Sequence, residues 1–259
     1  MSEMEREYSP SSRVGGDASP FVAEYRAGSR AARELLADRL TVLTDGTIVA
    51  TEVPSLPLLV FIHGGYWQGL SASESLSLAP PALAQGWSYV AIEYTIAPTG
   101  NIPQMIRECE AALASLAGVV SPSTVVLVGH SAGAHLAAMV SLVSSSPLRI
   151  DRTVLLSGVF DLRPLLQTTV NDPLEMDEAT AVALSPQLLP VAARHDVVVA
   201  WGDNETDAFK MQSQSYAAHL SASGLPVTSF ECADRNHFDI VGDVTDLRTE
   251  LGRLALGGL

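Results

Sequence analysis

Residues 129–133 read Gly-His-Ser-Ala-Gly, a G-x-S-x-G pattern centred on Ser131. The pattern follows a β-branched run and precedes a helical pattern at 132–143 that is rich in Ala, Leu, Met and Val. In this strand-turn-helix context, glycines permit the sharp turn that exposes a serine nucleophile, and the helix N-terminus favours developing negative charge. We therefore predict that Ser131 is the nucleophile of an acyl transfer and that the N–H of Ala132 stabilises the oxyanion.

A second glycine pattern, His-Gly-Gly-Tyr-Trp, follows an earlier apolar run. Attack of a hydroxyl on a carbonyl creates an oxyanion, which needs hydrogen-bond donors already in place. Glycine allows the backbone to approach a substrate closely and to adopt positive φ. We predict that the loop of Gly64, Gly65 and Tyr66 completes the oxyanion hole, and that Trp67 contacts an aromatic part of the substrate.

A serine hydroxyl also needs a general base that a carboxylate orients. Of the six histidines, His237 comes just after the last predicted strand. It completes the chain order of nucleophile, acid and histidine that is typical of this strand-turn-helix arrangement. We predict that His237 is the base. None of the histidines shows the H-E-x-x-H spacing of a zinc site, and the chemistry needs no organic group, so no metal or cofactor is expected.

The orienting carboxylate is predicted to follow the strand at 196–202. Three acidic residues lie there, Asp203, Glu205 and Asp207. A tight turn at Gly202 favours Asp203 or Glu205. Spacing alone does not decide between these two.

The elements that position these residues alternate between strand and helix. The predicted strands are 56–62, 88–93, 123–129, 152–158, 196–202 and 225–231, and the predicted helices between them are 73–85, 103–117, 132–143 and 208–222. Most strands are apolar on both faces, which is typical of a sheet covered by helices on both sides. The pattern predicts an α/β fold with a mostly parallel sheet, entered by an antiparallel hairpin around Val42 and Ile48.

Two stretches do not follow this alternation. Residues 1–40 hold a polar lead and one predicted helix at 21–38, and we expect them to lie over the rim of the sheet. Residues 161–193 form a proline-broken insertion, where we expect a small cap over the site. With 259 residues, we expect a single domain over 1–259.

Composition limits the partners of the protein. The formal charge of −14 at pH 7 argues against binding to nucleic acid or to an anionic membrane, since both need clustered basic residues. No stretch of about 18 apolar residues appears, and the start has no signal-peptide pattern. The chain has only two cysteines, which suits a reducing compartment, and we expect a cytoplasmic protein. The expected substrate is a small molecule, and a homodimer is left open.

Taken together, these motifs resemble the kynurenine formamidase (arylformamidase) group of α/β-hydrolases. The resemblance covers residues 8–241 and is carried by EYSPSS, HGGYW, GHSAGAHL, NDPLEMDEA, GDNETDAFKMQS and NHFDIV. Related esterases usually continue with a third glycine where this chain has Tyr66 and Trp67.

The resemblance implies an α/β-hydrolase fold and a serine hydrolase that removes formate from N-formyl-kynurenine. It also implies that the acid lies three residues after the strand-ending glycine and precedes a Ser or Thr. That position is Glu205, which Thr206 follows, although many members of the family have Asp there. The alternative is a carboxylesterase or amidase that uses the same residues, because fold and triad do not fix the substrate.

Overall fold

The computed structural model describes residues 2–116, 118–144, 146 and 148–257. Its centre is one sheet of eight strands: β1 (Leu40–Val42), β2 (Ile48–Ala50), β3 (Leu58–Ile62), β4 (Ser88–Ile92), β5 (Val125–His130), β6 (Arg152–Leu156), β7 (Asp196–Asn204) and β8 (Val227–Asn236). The order across the sheet is β1-β2-β4-β3-β5-β6-β7-β8. β2 pairs antiparallel with β1 and β4, and all other pairs are parallel. The predicted mostly parallel α/β sheet is confirmed, and so is the hairpin, in which Val42 pairs with Ile48.

Helices cover both faces of this sheet because its central strands are apolar on both faces. They are α1 (Glu3–Glu7), α2 (Ser19–Leu35), α3 (Ala79–Ala84), α4 (Ile102–Leu116), α5 (Ala132–Ala138), α6 (Glu178–Ala183), α7 (Asp207–Ala222) and α8 (Glu250–Leu256). In β3, Leu58, Val60 and Ile62 join the core cluster that includes α4, α5 and α7. Leu59 and Phe61 point to the opposite face and pack with α2, α3 and α8.

The segment predicted as a helix at 73–85 is mostly not α-helical. Two 3-10 turns, Ala72–Glu74 and Leu76–Leu78, precede the short α3. Pro80 and Pro81 lack a backbone N–H, so they fit only the first turn of a helix and force α3 to begin at Ala79. The helix predicted at 103–117 is α4, and its predicted last residue, 117, lies outside the described residues.

The loops that carry the candidate site follow the carboxyl ends of the parallel strands. β7 and β8 run past their predicted ends, to Asn204 and Asn236, so the predicted acid and base begin their loops side by side. The 161–193 insertion contains 3-10 turns and α6, and it begins after β6. Among the described helices, none is long and apolar enough to cross a membrane.

Candidate active site

The G-x-S-x-G pattern forms the turn between β5 and α5. Ser131 has φ 55° and ψ −120°, a strained conformation that lifts its side chain out of the strand. A Cβ on Gly129 would lie 2.2 Å from the carbonyl oxygen of Gly133, and one on Gly133 would lie 2.1 Å from that of Ile62. Neither position has room for a side chain, so the sharp turn requires glycine on both sides of Ser131.

Ser131, His237 and Glu205 form one chain of hydrogen bonds. The Oγ of Ser131 lies 3.0 Å from Nε2 of His237, and Nδ1 of His237 lies 2.9 Å from Oε2 of Glu205. All three side chains are buried. Because an ionised carboxylate only accepts hydrogen bonds, Nδ1 carries the proton, which leaves Nε2 free to accept the serine proton. This arrangement is able to perform nucleophilic attack with general-base assistance.

The second oxygen of Glu205 is also held in place. Its Oε1 accepts hydrogen bonds of 2.6 Å from the Ser157 hydroxyl and 2.6 Å from the backbone N–H of Gly202. Ser157 is fully buried at the end of β6 and has φ 50°. No sequence pattern indicates a role for this residue, because its contact with Glu205 depends on how far β7 extends beside β6.

The other two acidic residues of this loop point elsewhere. Asp203 is exposed, and its carboxylate accepts from the backbone N–H groups of Asp234 and Arg235 at 3.0 and 3.1 Å. Those hydrogen bonds lower the pKa of Asp203. The carboxylate braces the turn that precedes His237. Asp207 is exposed in the first turn of α7.

His130, beside the nucleophile, holds the backbone of the predicted base. Its Nε2 lies 2.7 Å from the carbonyl oxygen of His237. Burial, followed by the neighbouring His237, lowers the pKa of His130 to about 3. The ring is therefore neutral, and its Nε2–H donates to that carbonyl.

The loop of the second glycine pattern lies directly against Ser131. A Cβ on Gly64 would lie 3.0 Å from the Cβ of Ser131, and Gly65 has φ 100°. Gly65 and Tyr66 line the same cavity as Ser131, and among the described residues their N–H groups have no acceptor within the protein. Ala132 is the first residue of α5, and the first N–H groups of a helix have no partner within it.

Tyr94 fixes the conformation of this loop through contacts with His63 and Gly64. Its hydroxyl donates to the carbonyl oxygens of His63 at 2.9 Å and Gly64 at 3.2 Å, and its ring stacks on that of His63. Donors fixed in this way need no rearrangement when charge develops.

The structure corrects the prediction that Trp67 contacts the substrate. Its exposed fraction is 0%, and it packs in the core with its ring edge-to-face against His135, 5.2 Å away. Tyr66 and Trp67 both have positive φ, 53° and 59°. This turn directs Trp67 into the core, while Tyr66 lines the cavity.

The site opens into a cavity of about 520 Å³. Its walls include the expected catalytic loops, Thr169 and Val170 of the insertion, and Phe238. Much of the remaining wall comes from the N-terminal segment, which we define as residues 2–26: Glu5, Tyr8, Ser9, Pro10, Ser11, Ala18, Val22, Tyr25 and Arg26. Sequence reasoning placed this segment at the rim but did not identify these residues as part of the site. The EYSPSS stretch was the available signal.

The described part of the chain contains no group of three or more His, Cys, Asp and Glu side chains that could hold a metal ion.

Comparison with known proteins agrees with the fold. A family model described as the α/β hydrolase fold matches residues 59–239. A solved structure of a protein from Silicibacter sp. has a TM-score of 0.83 and 27% identity, covering 97% of this chain and 98% of that one. The chain is thus a hydrolase with the α/β-hydrolase fold.

Two relatives show which family within this fold the chain resembles. The kynurenine formamidases of Danio rerio and Salmo salar are 35% and 37% identical to this chain. Each alignment covers 98% of this chain, with 94% and 95% of the respective relative. The chain belongs to the kynurenine formamidase family, which confirms the resemblance noted in its sequence motifs.

Proposed function

We propose that the protein is an arylformamidase that hydrolyses N-formyl-L-kynurenine to formate and kynurenine. The observation that carries this proposal is the similarity to relatives named kynurenine formamidase over 98% of the chain. The hydrogen-bond chain from Ser131 through His237 to Glu205 supports it, because hydrolysis of a formamide needs a nucleophile and a proton carrier. The cavity volume lies within the usual range for sites that bind a small molecule.

In the first half of the reaction, the Ser131 hydroxyl attacks the formyl carbon while Nε2 of His237 takes its proton. The oxyanion accepts hydrogen bonds from the N–H groups of Gly65, Tyr66 and Ala132, and Gly64 allows the loop to approach. Glu205 stabilises the imidazolium that forms. His237 then gives the proton to the aryl nitrogen as the carbon–nitrogen bond breaks, and kynurenine leaves.

In the second half, water replaces the amine. His237 takes a proton from this water as its oxygen attacks the formyl-enzyme carbonyl, and the same N–H groups hold the second oxyanion. Collapse of this intermediate breaks the bond to Ser131 Oγ, which recovers its proton from His237. Formic acid leaves and ionises to formate by releasing one proton to solvent, and the resting enzyme is restored.

The cellular setting is part of the same proposal. A cytoplasmic location is supported by Cys109 and Cys232, which are both free and buried. Light scattering tests whether the protein forms a homodimer in solution. Every group in the proposed reaction comes from a single chain, so activity is expected not to depend on protein concentration.

The decisive experiment compares acyl groups and leaving groups. We expect kcat/KM for formate release from N-formyl-kynurenine to exceed kcat/KM for p-nitrophenyl acetate and butyrate by about 100-fold or more. Ser131→Ala is the matched control and should lower both activities by roughly a thousandfold or more while the circular dichroism spectrum stays unchanged. Faster turnover of the esters would instead favour the carboxylesterase alternative.

A further inference from the structure

Among the described residues that line the active-site cavity, two side chains carry a permanent charge: Glu5 and Arg26. They have opposite signs, and both come from the N-terminal segment rather than from the loops that bear Ser131, Glu205 and His237. Neither group has a place in the hydrolytic steps. Their position in the wall therefore suggests a role in binding.

Glu5 is held at the junction of α1 and the insertion. Its Oε2 accepts from the backbone N–H of Thr169 at 3.0 Å, and its Oε1 accepts from the Thr169 hydroxyl at 2.5 Å. These hydrogen bonds lower the pKa of Glu5, so the carboxylate is ionised at neutral pH. A carboxylate has about four acceptor positions, which leaves capacity for a cationic ligand.

Arg26 is anchored through one nitrogen only. Its Nε donates to Oε1 of Glu74 at 2.8 Å, and its side chain is 61% exposed. Within the described residues, its two terminal nitrogens donate no hydrogen bond to the protein. Such a fixed, planar guanidinium fits a carboxylate with two parallel hydrogen bonds.

An aromatic wall connects these charges to the reacting groups. Phe238 directly follows His237 and lines the cavity beside Tyr25, whose hydroxyl donates to the carbonyl oxygen of Phe238 at 2.5 Å. Because His237 protonates the departing amine, the aryl group is expected to lie along this wall. A substituent on that ring would extend toward the N-terminal segment.

We propose that Glu5 and Arg26 form a subsite for the α-amino-acid group of the substrate. Glu5 binds the ammonium group and Arg26 binds the carboxylate. This inference rests on the proposed function, whose substrate carries one group of each sign.

The test pairs two variants with truncated substrates. Arg26→Gln should raise KM for N-formyl-kynurenine by about tenfold with little change in kcat, and should leave the α-carboxamide analogue unaffected. Glu5→Gln should raise KM by about the same factor for N-formyl-kynurenine and for the carboxamide, but not for the analogue that lacks the amino group. Neither variant should change kinetics on 2-formamidoacetophenone, which lacks the amino-acid group.

Two further variants separate the charge of Arg26 from its anchoring. Glu74→Gln removes the ion pair but keeps the guanidinium, and Arg30→Gln removes an exposed charge one turn further along α2. Both should leave KM for N-formyl-kynurenine within about twofold of the parent. The subsite is overturned if Arg30→Gln matches Arg26→Gln, or if the two cavity variants affect all four formamides equally.

The result also separates the subsite from the function on which it rests. If the parent protein releases formate from none of the four aryl formamides, the proposed function fails and the subsite fails with it. If it hydrolyses them but the variants show no dependence on the amino or carboxylate group, only the subsite fails.

Discussion

Asp203 lies near the end of β7 and Glu205 directly follows that strand, yet their environments differ completely. Glu205 is 1% exposed and accepts hydrogen bonds from His237, Ser157 and the backbone of Gly202. Asp203 is exposed and bonds to backbone N–H groups of the turn before His237. A buried carboxylate beside Nδ1 stabilises an imidazolium far more effectively than an exposed one, because water screens it less.

We expect Glu205→Gln to lower kcat on N-formyl-kynurenine by about 10³ to 10⁴, because an amide favours the wrong tautomer of His237. Asp203→Asn keeps one acceptor oxygen for the turn, so we expect a loss below about tenfold. Measuring steady-state formate release by both variants, together with their unfolding temperatures, checks this prediction. A larger loss from Asp203→Asn would mean that the acid is misassigned.

For individual residues, the sequence is informative where chemistry imposes a pattern. The glycines around Ser131 are required by the turn itself, and His237 follows from chain order. Ser157 was missed because a serine at a strand end has no distinctive neighbours. Trp67 was assigned wrongly because the direction of its side chain depends on the positive φ of Tyr66 and Trp67, which neither residue type indicates.

The N-terminal segment joins three loops that follow different strands. The hydroxyl of Tyr66 donates to the carbonyl oxygen of Tyr8, and that of Thr206 donates to the carbonyl oxygen of Glu7 at 2.6 Å. Tyr25 bonds to the loop of His237. The segment therefore holds the loops of the proposed oxyanion hole, acid and base in one arrangement, and is more than a cover at the rim.

Tyr66→Phe tests whether this connection positions the oxyanion loop. Burial holds the pKa of Tyr66 well above its ordinary range, so its hydroxyl stays protonated and donates to Tyr8. We expect the variant to keep its backbone N–H but lower kcat by roughly tenfold with KM nearly unchanged, because the oxyanion donors lose their alignment.

Tyr8→Phe is the matched control for this prediction. It removes the hydroxyl bonded to Gln212 Nε2 at 3.0 Å but leaves the Tyr8 carbonyl in place for Tyr66. Its kcat should stay within about twofold of the parent, although Tyr8→Phe, like Tyr66→Phe, loses one hydrogen bond and a similar amount of stability. Equal losses of kcat in the two variants would mean that general loosening, rather than loop position, is responsible.

The central elements could be predicted because burial on both faces leaves continuous apolar runs, as in β3 and β5. Short helices could not. The seven-residue α8 was not predicted, since two turns give too little periodicity. The helix predicted at 73–85 is wrong because the apolar pattern continues through Pro80 and Pro81, which fit only the first turn of a helix and so set the start of α3.

The core on one face of the sheet includes a buried histidine. His135 lies on α5, is fully buried, and has Nε2 at 2.7 Å from the carbonyl oxygen of Leu184 in the insertion. Burial lowers the pKa of His135 to about 4. The ring thus stays neutral in the folded protein at pH values where it would be protonated in the unfolded chain.

This difference makes stability depend on pH in a defined direction. Between pH 6.5 and about 4 the unfolded chain binds a proton at His135 that the folded protein does not bind. The stability that neutral His135 contributes is therefore complete above pH 6.5 and is lost as the pH falls. From pH 7 to pH 5 the free energy of unfolding should fall by about 2 kcal/mol on account of this residue.

His135→Gln keeps a donor for Leu184 but does not titrate. Urea unfolding of parent and variant at both pH values should show a decrease that is smaller by that amount in the variant, whereas parallel pH profiles would exclude His135 as the cause.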